Sequence, residues 1–145
     1  MRTSEQNKEL AREFGDRVFN HHDLEYLKEI LADDFVEHEE WPGLSQDKAG
    51  ALQWFEQGFA SVPDMRMEIH HVIASDDRVC IHSTMSGTDE GGLMPGMPAT
   101  GKSFEMGGID IVRVRDDGKI AEHWGVGDVM GMMMQLGHVQ PPPGS

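Results

Sequence analysis

The sequence predicts a single α+β domain in which three N-terminal helices pack on a curved, mostly antiparallel sheet. Three observations support this fold class. The chain has 145 residues, a usual size for one domain with its own core. Apolar residues recur at helical spacing as far as Pro63 and alternate at every second position beyond it. Helices that precede a run of strands, rather than alternate with them, are typical of the α+β class.

Start signals and apolar spacing predict the three helices. The first covers roughly residues 4–20, because Thr3 and Gln6 resemble a capping box ahead of an apolar repeat. The second lies in HHDLEYLKEIL and begins after Asp23, and the third begins after Ser45, whose hydroxyl can cap it. Between these two helices, ADDFVEHEEWPG predicts a short extended piece that ends in a turn.

Alternation of apolar and polar residues predicts four strands, over roughly residues 65–75, 78–87, 102–115 and 119–127. A long Gly- and Pro-rich loop over residues 87–101 joins the second strand to the third, and we expect it to close the mouth of a cavity. The DDG turn joins the third strand to the fourth. We therefore predict one domain over residues 1–137, followed by a flexible Pro-rich tail over residues 138–145.

The composition argues against several partners and cofactors. There are 12 Lys and Arg residues against 26 Asp and Glu residues, which gives a formal net charge of −14. A surface this acidic repels phosphate groups, so we expect no nucleic-acid or membrane partner. The single Cys80 cannot form an internal disulfide, and no Cys/His spacing resembles a zinc site. The N-terminus lacks the apolar run of a signal peptide, so we expect a cytoplasmic protein without a metal.

Strand alternation predicts an ionisable pair on one face of the sheet. Asp110 shares a face with Val112, and His123 shares a face with Ala121 across the tight turn. A carboxylate and an imidazole among apolar neighbours have shifted proton affinities, as acid–base chemistry requires. His82, on a neighbouring strand, is a second histidine that we expect to reach the cavity.

The opposite face of the same strands also carries apolar side chains. Three helices can cover only one face, and a chain of this length has nothing left to cover the other. We therefore expect a homodimer through the outer face of the sheet. The residues expected in this interface are Ile109, Ile111, Ile120 and Trp124.

Several stretches together carry a family signature. Residues 91–137 read GGLMPGMPATGKSFEMGGIDIVRVRDDGKIAEHWGVGDVMGMMMQLG, and ADDFVEH and FASVPDMRM precede them. A G-x-P-x-T-G-K loop followed by I-x-R and DGKI-x-E-H-W is a specific combination. The chain thereby resembles the SnoaL-like polyketide cyclases, or ester cyclases, of the NTF2-like superfamily. The resemblance implies a cone of helices and sheet around an apolar cavity, commonly a dimer, and a cofactor-free aldol ring closure in which an aspartate takes a proton beside a carbonyl.

The chain departs from that pattern directly after Trp124. The resemblance implies the acid–base aspartate at this position, where the sequence has Gly125. Asp110 lies where the founding cyclases have a cavity histidine, so we expect it to be the general base, with His123 orienting it or polarising the substrate carbonyl. Asp128 matches another family aspartate near the end of the last strand. It is a second catalytic candidate, or it caps the segment after this strand.

A set of aromatic, imidazole and thioether side chains is expected to bind a small apolar ligand. These residues are His38, His82, Phe19, Trp54, Phe55, Met94 and Met97. His38 matches a histidine that is frequent in the family, and the two methionines belong to the loop at the cavity mouth. At helical spacing, the aromatic residues would serve equally well as core.

Two functions from different classes remain open from the sequence. The first is a cofactor-independent cyclase or isomerase acting on a small apolar carbonyl compound, which the pairing of Asp110 with His123 favours. The second is a binding protein that keeps the cavity and lacks the acid, which Gly125 favours. Within the enzyme class, epoxide hydrolysis and hydroxylation are also open, because one fold hosts many chemistries.

Overall fold

Helices and strands in the computed structural model, which describes residues 1–144, follow the order predicted for an α+β domain. Helix α1 continues as a π-helical segment and is followed by a second helix, a short strand and a third helix. Four longer strands and a final helix complete the order. The bounds are α1 Ser4–Phe14, the π-helical segment Gly15–Asn20, α2 Leu24–Ile30, β1 Leu31–Glu37, α3 Lys48–Ser61, β2 Arg66–Ser75, β3 Arg78–Thr88, β4 Ser103–Val114, β5 Ile120–Gly127 and α4 Val129–Leu136.

Local capping explains where the first three helices begin. The capping box of Thr3 and Gln6 is present, and Asp23 caps α2. The prediction that Ser45 caps α3 is wrong. Asp47 caps it, because its carboxylate accepts a hydrogen bond from the backbone N–H three residues ahead at 3.0 Å. Ser45 instead donates its hydroxyl to the same carboxylate oxygen of Asp47 at 2.6 Å.

The five strands form one mixed sheet in the order β1-β5-β4-β3-β2. The four predicted strands are confirmed and pair in antiparallel fashion. The short extended piece is a fifth strand, β1, and it pairs in parallel with β5 at the edge of the sheet. In this pairing Glu37 lies in register with His123, although the two residues are far apart in the sequence.

A register shift near the start of β5 changes the face on which one residue lies. Val114 pairs with Ile120 and Arg113 pairs with Glu122, so Ala121 is an extra residue in the ladder. Ile120 therefore turns to the inner face, where only 3% of its surface is exposed and it lines the cavity. The prediction that Ile120 belongs to the outer face is wrong, because alternation does not anticipate this bulge.

The two faces of the sheet differ in burial. Val79, Ile81 and Met85 of β3 are buried on the inner face of the sheet. They belong to the same hydrophobic core as residues of α1 and α3, which cover this face. On the outer face, Ile109 is 44% exposed and Val126, its cross-strand partner, is 77% exposed. The apolar core therefore lies between the helices and one face of the sheet only.

A buried aspartate fixes the Gly- and Pro-rich loop between β3 and β4. The carboxylate of Asp89 accepts hydrogen bonds from the backbone N–H groups of Gly92, Leu93 and Thr100 and from the Thr100 hydroxyl, at 2.8 to 3.1 Å. Burial alone raises the pKa of Asp89, but these hydrogen bonds outweigh it and hold the pKa below its usual value.

The end of the described chain contains one further helix. Asp128 caps α4 by accepting a hydrogen bond from the backbone N–H of Gly131 at 2.9 Å, and Gly137 ends the helix with a left-handed φ of 82°. Residues 138–144 form neither helix nor strand, and the predicted tail boundary stays a prediction; Ser145 lies outside the described residues. No helix within residues 1–144 is both long and apolar enough to cross a bilayer.

Candidate active site

An apolar cavity of about 160 Å³ lies between the inner face of the sheet and helices α1 and α3. Its ionisable wall residues are Glu37, Glu39, Asp110 and His123, and most of the remaining wall is aromatic or aliphatic. A second apolar compartment of about 290 Å³ adjoins it and shares wall residues such as Trp41 and Trp54. The first compartment is close to the roughly 150 Å³ of a cavity that holds benzene. A ligand with several rings would therefore extend into the second.

Three neighbouring strands place His123 between two carboxylates. Its Nδ1 lies 2.7 and 2.9 Å from the two carboxylate oxygens of Glu37, the last residue of β1. Its Nε2 lies 2.7 Å from Oδ1 of Asp110 on β4. We call these three residues the His123 cluster. Both ring nitrogens can donate at once only when the imidazole carries its second proton.

The surroundings of His123 favour this doubly protonated form. Burial among apolar walls lowers the pKa of His123, but the hydrogen bonds and negative charges of Asp110 and Glu37 outweigh burial and raise it to about 10. The ring is therefore an imidazolium at neutral pH. It is held in a fixed orientation between two carboxylates on the wall of an apolar space.

Glu39 brings a third carboxylate against the His123 cluster. Its backbone N–H donates to Oε1 of Glu37 at 2.9 Å, and its side chain lines the cavity. Burial raises the pKa of Glu39; the charge of His123 opposes this rise, and the charges of Asp110 and Glu37 add to it. The protonated form of Glu39 is therefore favoured relative to that of an ordinary glutamate.

Gly125 leaves open the space next to these groups. A Cβ built at position 125 would collide with the Glu39 carboxylate and would lie 2.8 Å from Oδ1 of Asp110 and 2.9 Å from Cε1 of His123. A larger residue there would displace at least one of them. The acid implied at position 125 is absent, and a carboxylate from the loop after β1 reaches the same place.

The same residues bear on metal binding. Glu37, Glu39 and His123 each offer one ligand-type atom, and these atoms lie within 4.8 Å of one another. Metal ligation by His123 would need a lone pair on one ring nitrogen. Both nitrogens face carboxylates at hydrogen-bond distance, so a metal ion could bind His123 only by replacing the proton of one of these hydrogen bonds. The arrangement thus suits proton transfer better than metal ligation.

The structure brings together five of the residues singled out from the sequence. Asp110, His123, Phe19, Trp54 and Phe55 all line the cavity. The three aromatic rings also contact one another: the centroid of Phe55 lies 5.3 Å from that of Phe19 and 4.9 Å from that of Trp54. These rings therefore form part of the core and part of the cavity wall at the same time.

Two predicted histidines lie on the outer face instead. His82 pairs across the strands with Ile109, and its Nδ1 lies 2.9 Å from Nδ1 of His71. His38 stacks on the ring of Trp124, with centroids 4.7 Å apart. The prediction that His82 reaches the cavity is wrong, and His38 likewise lies outside the cavity wall. The physical reason is the phase of strand alternation, since residues one position away from each histidine face inward.

The remaining candidates lie away from the His123 cluster. Asp128 caps α4 and does not line the cavity. Met94 lines the second compartment, whereas Met97 is 37% exposed and lines neither compartment. Sequence reasoning missed Glu37, although a signal for it exists: Glu37 shares the alternation phase of the buried Phe35.

A mixed sheet with helices on one face, enclosing an apolar cavity that holds an imidazolium between carboxylates, defines a cone of the NTF2-like type. The family model for SnoaL-like polyketide cyclases matches residues 9–136. The chain therefore belongs to the SnoaL-like polyketide cyclase family.

Solved structures agree with this assignment. IdmH of Streptomyces antibioticus, a proposed polyketide cyclase, is similar at 33% identity and a TM-score of 0.76 over 91% of this chain and 99% of that chain. AclR of Streptomyces galilaeus, a proposed hydroxylase, is similar at 26% identity and a TM-score of 0.84 over 98% and 91%. TsrD of Streptomyces laurentii shares the fold, with a TM-score of 0.84 at 24% identity over 96% and 100%. A comparison with curated proteins finds no significant match.

Proposed function

We propose that the protein is a cofactor-independent enzyme of the cyclase or isomerase type, which moves protons on a small apolar carbonyl compound. One observation carries this proposal: the His123 ring is held at both nitrogens by carboxylates on the wall of an apolar cavity. Grouping three ionisable side chains beside an apolar space costs desolvation free energy, and such groups are concentrated at sites of acid–base catalysis.

In this proposal Asp110 is the proton acceptor. Its Oδ1 accepts the hydrogen bond from Nε2 of His123, while its Oδ2 accepts none from the residues that the structure describes. Oδ2 is thus free to take a proton from a carbon beside a substrate carbonyl. The positive charge of His123, oriented by Glu37, stabilises the negative charge that develops on the substrate.

The kind of substrate follows from the cavity and from the relatives. The walls are mostly apolar, and the two compartments together suit a compound with more than one ring. IdmH, at 33% identity, is a proposed polyketide cyclase. We therefore propose an apolar, polyketide-like carbonyl compound as the substrate. A protein that only binds such a compound is the second candidate, favoured by the lack of a side chain at Gly125.

We also propose a homodimer, with a second copy of the chain covering the outer face. Two cross-strand rows hold its apolar side chains: Ile73, Ile111 and Trp124 in one row, and Ile109 and Val126 in the other. Four strands of about eight residues present a flat area on the order of 500 Å². Two copies would bury about 1,000 Å² or more, near the lower bound for a specific interface.

The acid–base proposal is tested by the first step of the reaction alone. The probe is 2-tetralone, an apolar bicyclic ketone, and proton NMR follows the exchange of its α-hydrogens for deuterium in D₂O. The protein should accelerate this exchange, and Asp110→Asn should slow it by roughly 10²-fold, because Asn cannot accept the proton. Asp116→Asn, in an exposed turn, is the matched control and should exchange at the wild-type rate. Equal rates in both variants would contradict the role of Asp110.

A further inference from the structure

Two inward-facing carboxylates of this fold have opposite surroundings. Asp89 is fully buried and receives four hydrogen bonds, which hold its loop in place. The Glu39 carboxylate accepts none from any residue between positions 1 and 144, although it is partly buried against the cavity. A partly buried carboxyl group that stabilises no local structure and faces a ligand space is available for chemistry.

The position of Glu39 relative to the His123 cluster is specific. Its carboxylate and Oδ1 of Asp110 both lie within 3 Å of one point, the place that a Cβ would take at position 125. The two carboxyl groups therefore approach the same small region of the cavity, Asp110 from β4 and Glu39 from the loop after β1. A substrate atom pair in this region would meet both groups at once.

We propose that Glu39 is a second catalytic residue, the general acid that delivers a proton to the substrate's carbonyl oxygen while Asp110 removes one from carbon. This inference rests on the proposed function. The titratable groups that face Glu39 are Glu37 on β1, Asp110 on β4 and His123 on β5. Burial and the two like charges outweigh the opposing charge of His123 and favour the protonated form of Glu39, as a donor requires. Asp110 instead accepts the hydrogen bond of the imidazolium.

The proton and electron balance of a ring closure needs no further reagent. Asp110 takes a proton from the carbon beside one carbonyl group, while Glu39 gives its proton to the oxygen of that carbonyl, and the electron pair of the C–H bond forms the enol. The enol carbon then attacks the carbon of a second carbonyl group, and a C–C bond forms as the C=O π bond of the second carbonyl breaks. The oxygen of the second carbonyl takes the proton held by Asp110 and becomes a hydroxyl, while the enol O–H returns its proton to Glu39 as the first carbonyl re-forms. Both carboxyl groups are thereby restored to their starting states.

The exchange of 2-tetralone in D₂O also tests this role, because enolisation is faster when an acid donates to the carbonyl oxygen. Glu39→Gln should slow exchange by roughly 10²-fold, and Glu39→Asp, which keeps an acid, should retain more activity than Gln. Glu40→Gln, at the exposed neighbouring position, is the matched control and should keep the wild-type rate. As a second measurement, the carboxyl ¹³C resonance that disappears in Glu39→Gln should titrate above the usual glutamate pKa of about 4.3.

The outcomes separate this inference from the proposed function. Exchange that falls in Asp110→Asn but not in Glu39→Gln would overturn the role of Glu39 and leave the proposed function standing. A Glu39 resonance that titrates at or below the usual glutamate value would overturn the role of proton donor, even if the Gln variant is slow. No acceleration by the wild-type protein would count against both proposals.

Discussion

The two faces of one sheet carry similar ionisable residues in opposite environments. On the inner face, His123 lies between Glu37 and Asp110 beside an apolar cavity. On the outer face, Glu122 accepts hydrogen bonds from His38 and Arg113 in partial contact with solvent. The pKa of His123 is raised to about 10, whereas the hydrogen bonds from Arg113 and His38 lower that of Glu122.

The difference shows that the environment of an ionisable residue, rather than its type, determines the chemistry it can perform. Ion pairs near solvent are screened and typically contribute about 0–1 kcal/mol to stability. Charges beside an apolar wall are screened much less, and loss of one partner leaves the others without compensation. We therefore expect changes on the inner face to alter proton transfer and stability strongly, and equivalent changes on the outer face to do little.

The largest effect is expected for His123→Leu. This change removes the imidazolium and leaves the carboxylates of Glu37 and Asp110 facing each other without a positive charge between them. Removing one partner of a buried ion pair lowers the free energy of unfolding by about 3–5 kcal/mol, because the remaining charge is left uncompensated. We expect a loss near the lower end of this range, because 21% of the His123 side chain and 30% of the Asp110 side chain remain exposed. Urea unfolding followed by circular dichroism measures it, with His38→Leu on the outer face as the control. A loss of less than about 1 kcal/mol would mean that the cluster is more hydrated than its geometry implies.

A slightly smaller loss of stability is expected when the pH is raised. The pKa of His123 is 6.5 in its ordinary state and about 10 in the folded protein. Since the folded state binds this proton more tightly, the stabilisation is complete below about pH 6.5 and is lost as the pH rises to about 10. At about 1.4 kcal/mol per pKa unit, and discounted for partial exposure, the loss is on the order of 2 kcal/mol. Denaturant unfolding across this window measures it.

The control for the pH dependence is His123→Gln. This variant lacks the titrating ring, so its free energy of unfolding should change much less over the same range. The raised pKa of Glu39 acts in the same direction as that of His123, at lower pH. Parallel curves for the variant and the wild-type protein would show that groups other than His123 cause the dependence.

Local patterns in the sequence are sufficient to predict much of this contrast. The period of two locates β2 to β5 and places Asp110 on the face that forms the cavity wall. The same rule fails for Ile120, because a bulge at Ala121 reverses the phase and no local signal marks it. The rule also fails for His82, because the prediction assigns the wrong set of alternate positions in β3 to the inner face. The other set, with Val79, Ile81 and Met85, is the more apolar one and is buried.

The residues that complete the cavity chemistry depend on pairing between distant segments. Glu37 contacts His123 only because β1 pairs in parallel with β5, and local alternation carries no information about which strands pair. His38 attracts attention as a histidine. Glu37 is marked only by the alternation phase that it shares with the buried Phe35, and Glu39 lies beyond the end of β1, where alternation no longer applies. The roles of these two glutamates require the sheet order, which the sequence pattern alone does not specify.

An intermediate effect, the loss of the proposed dimer, is expected for a substitution on the outer face. Ile109→Glu replaces an exposed apolar side chain, between His82 and Val126 on the outer face, with a charge, and two copies of the chain would bring like charges together. Sedimentation equilibrium should show a dimer for the wild-type protein and a monomer for the variant at micromolar concentration. The exchange of 2-tetralone should stay within a few-fold of the wild-type rate, since Ile109 does not line the cavity. A wild-type monomer at high micromolar concentration would contradict the dimer.

The smallest effect is expected for Glu122→Gln, the outer-face counterpart of a change to Asp110. Glu122 accepts hydrogen bonds from Arg113 and His38, and its pKa lies below the usual value. Its partners keep contact with solvent, with 31% of the Arg113 side chain and 37% of the His38 side chain exposed. Screening should therefore limit the loss of stability to about 1 kcal/mol or less. Exchange of 2-tetralone should be unchanged, because Glu122 does not contact the cavity. If Glu122→Gln instead slowed exchange as strongly as Asp110→Asn, the two faces would be coupled through β4 and β5, and the assignment of the chemistry to the inner face would be wrong.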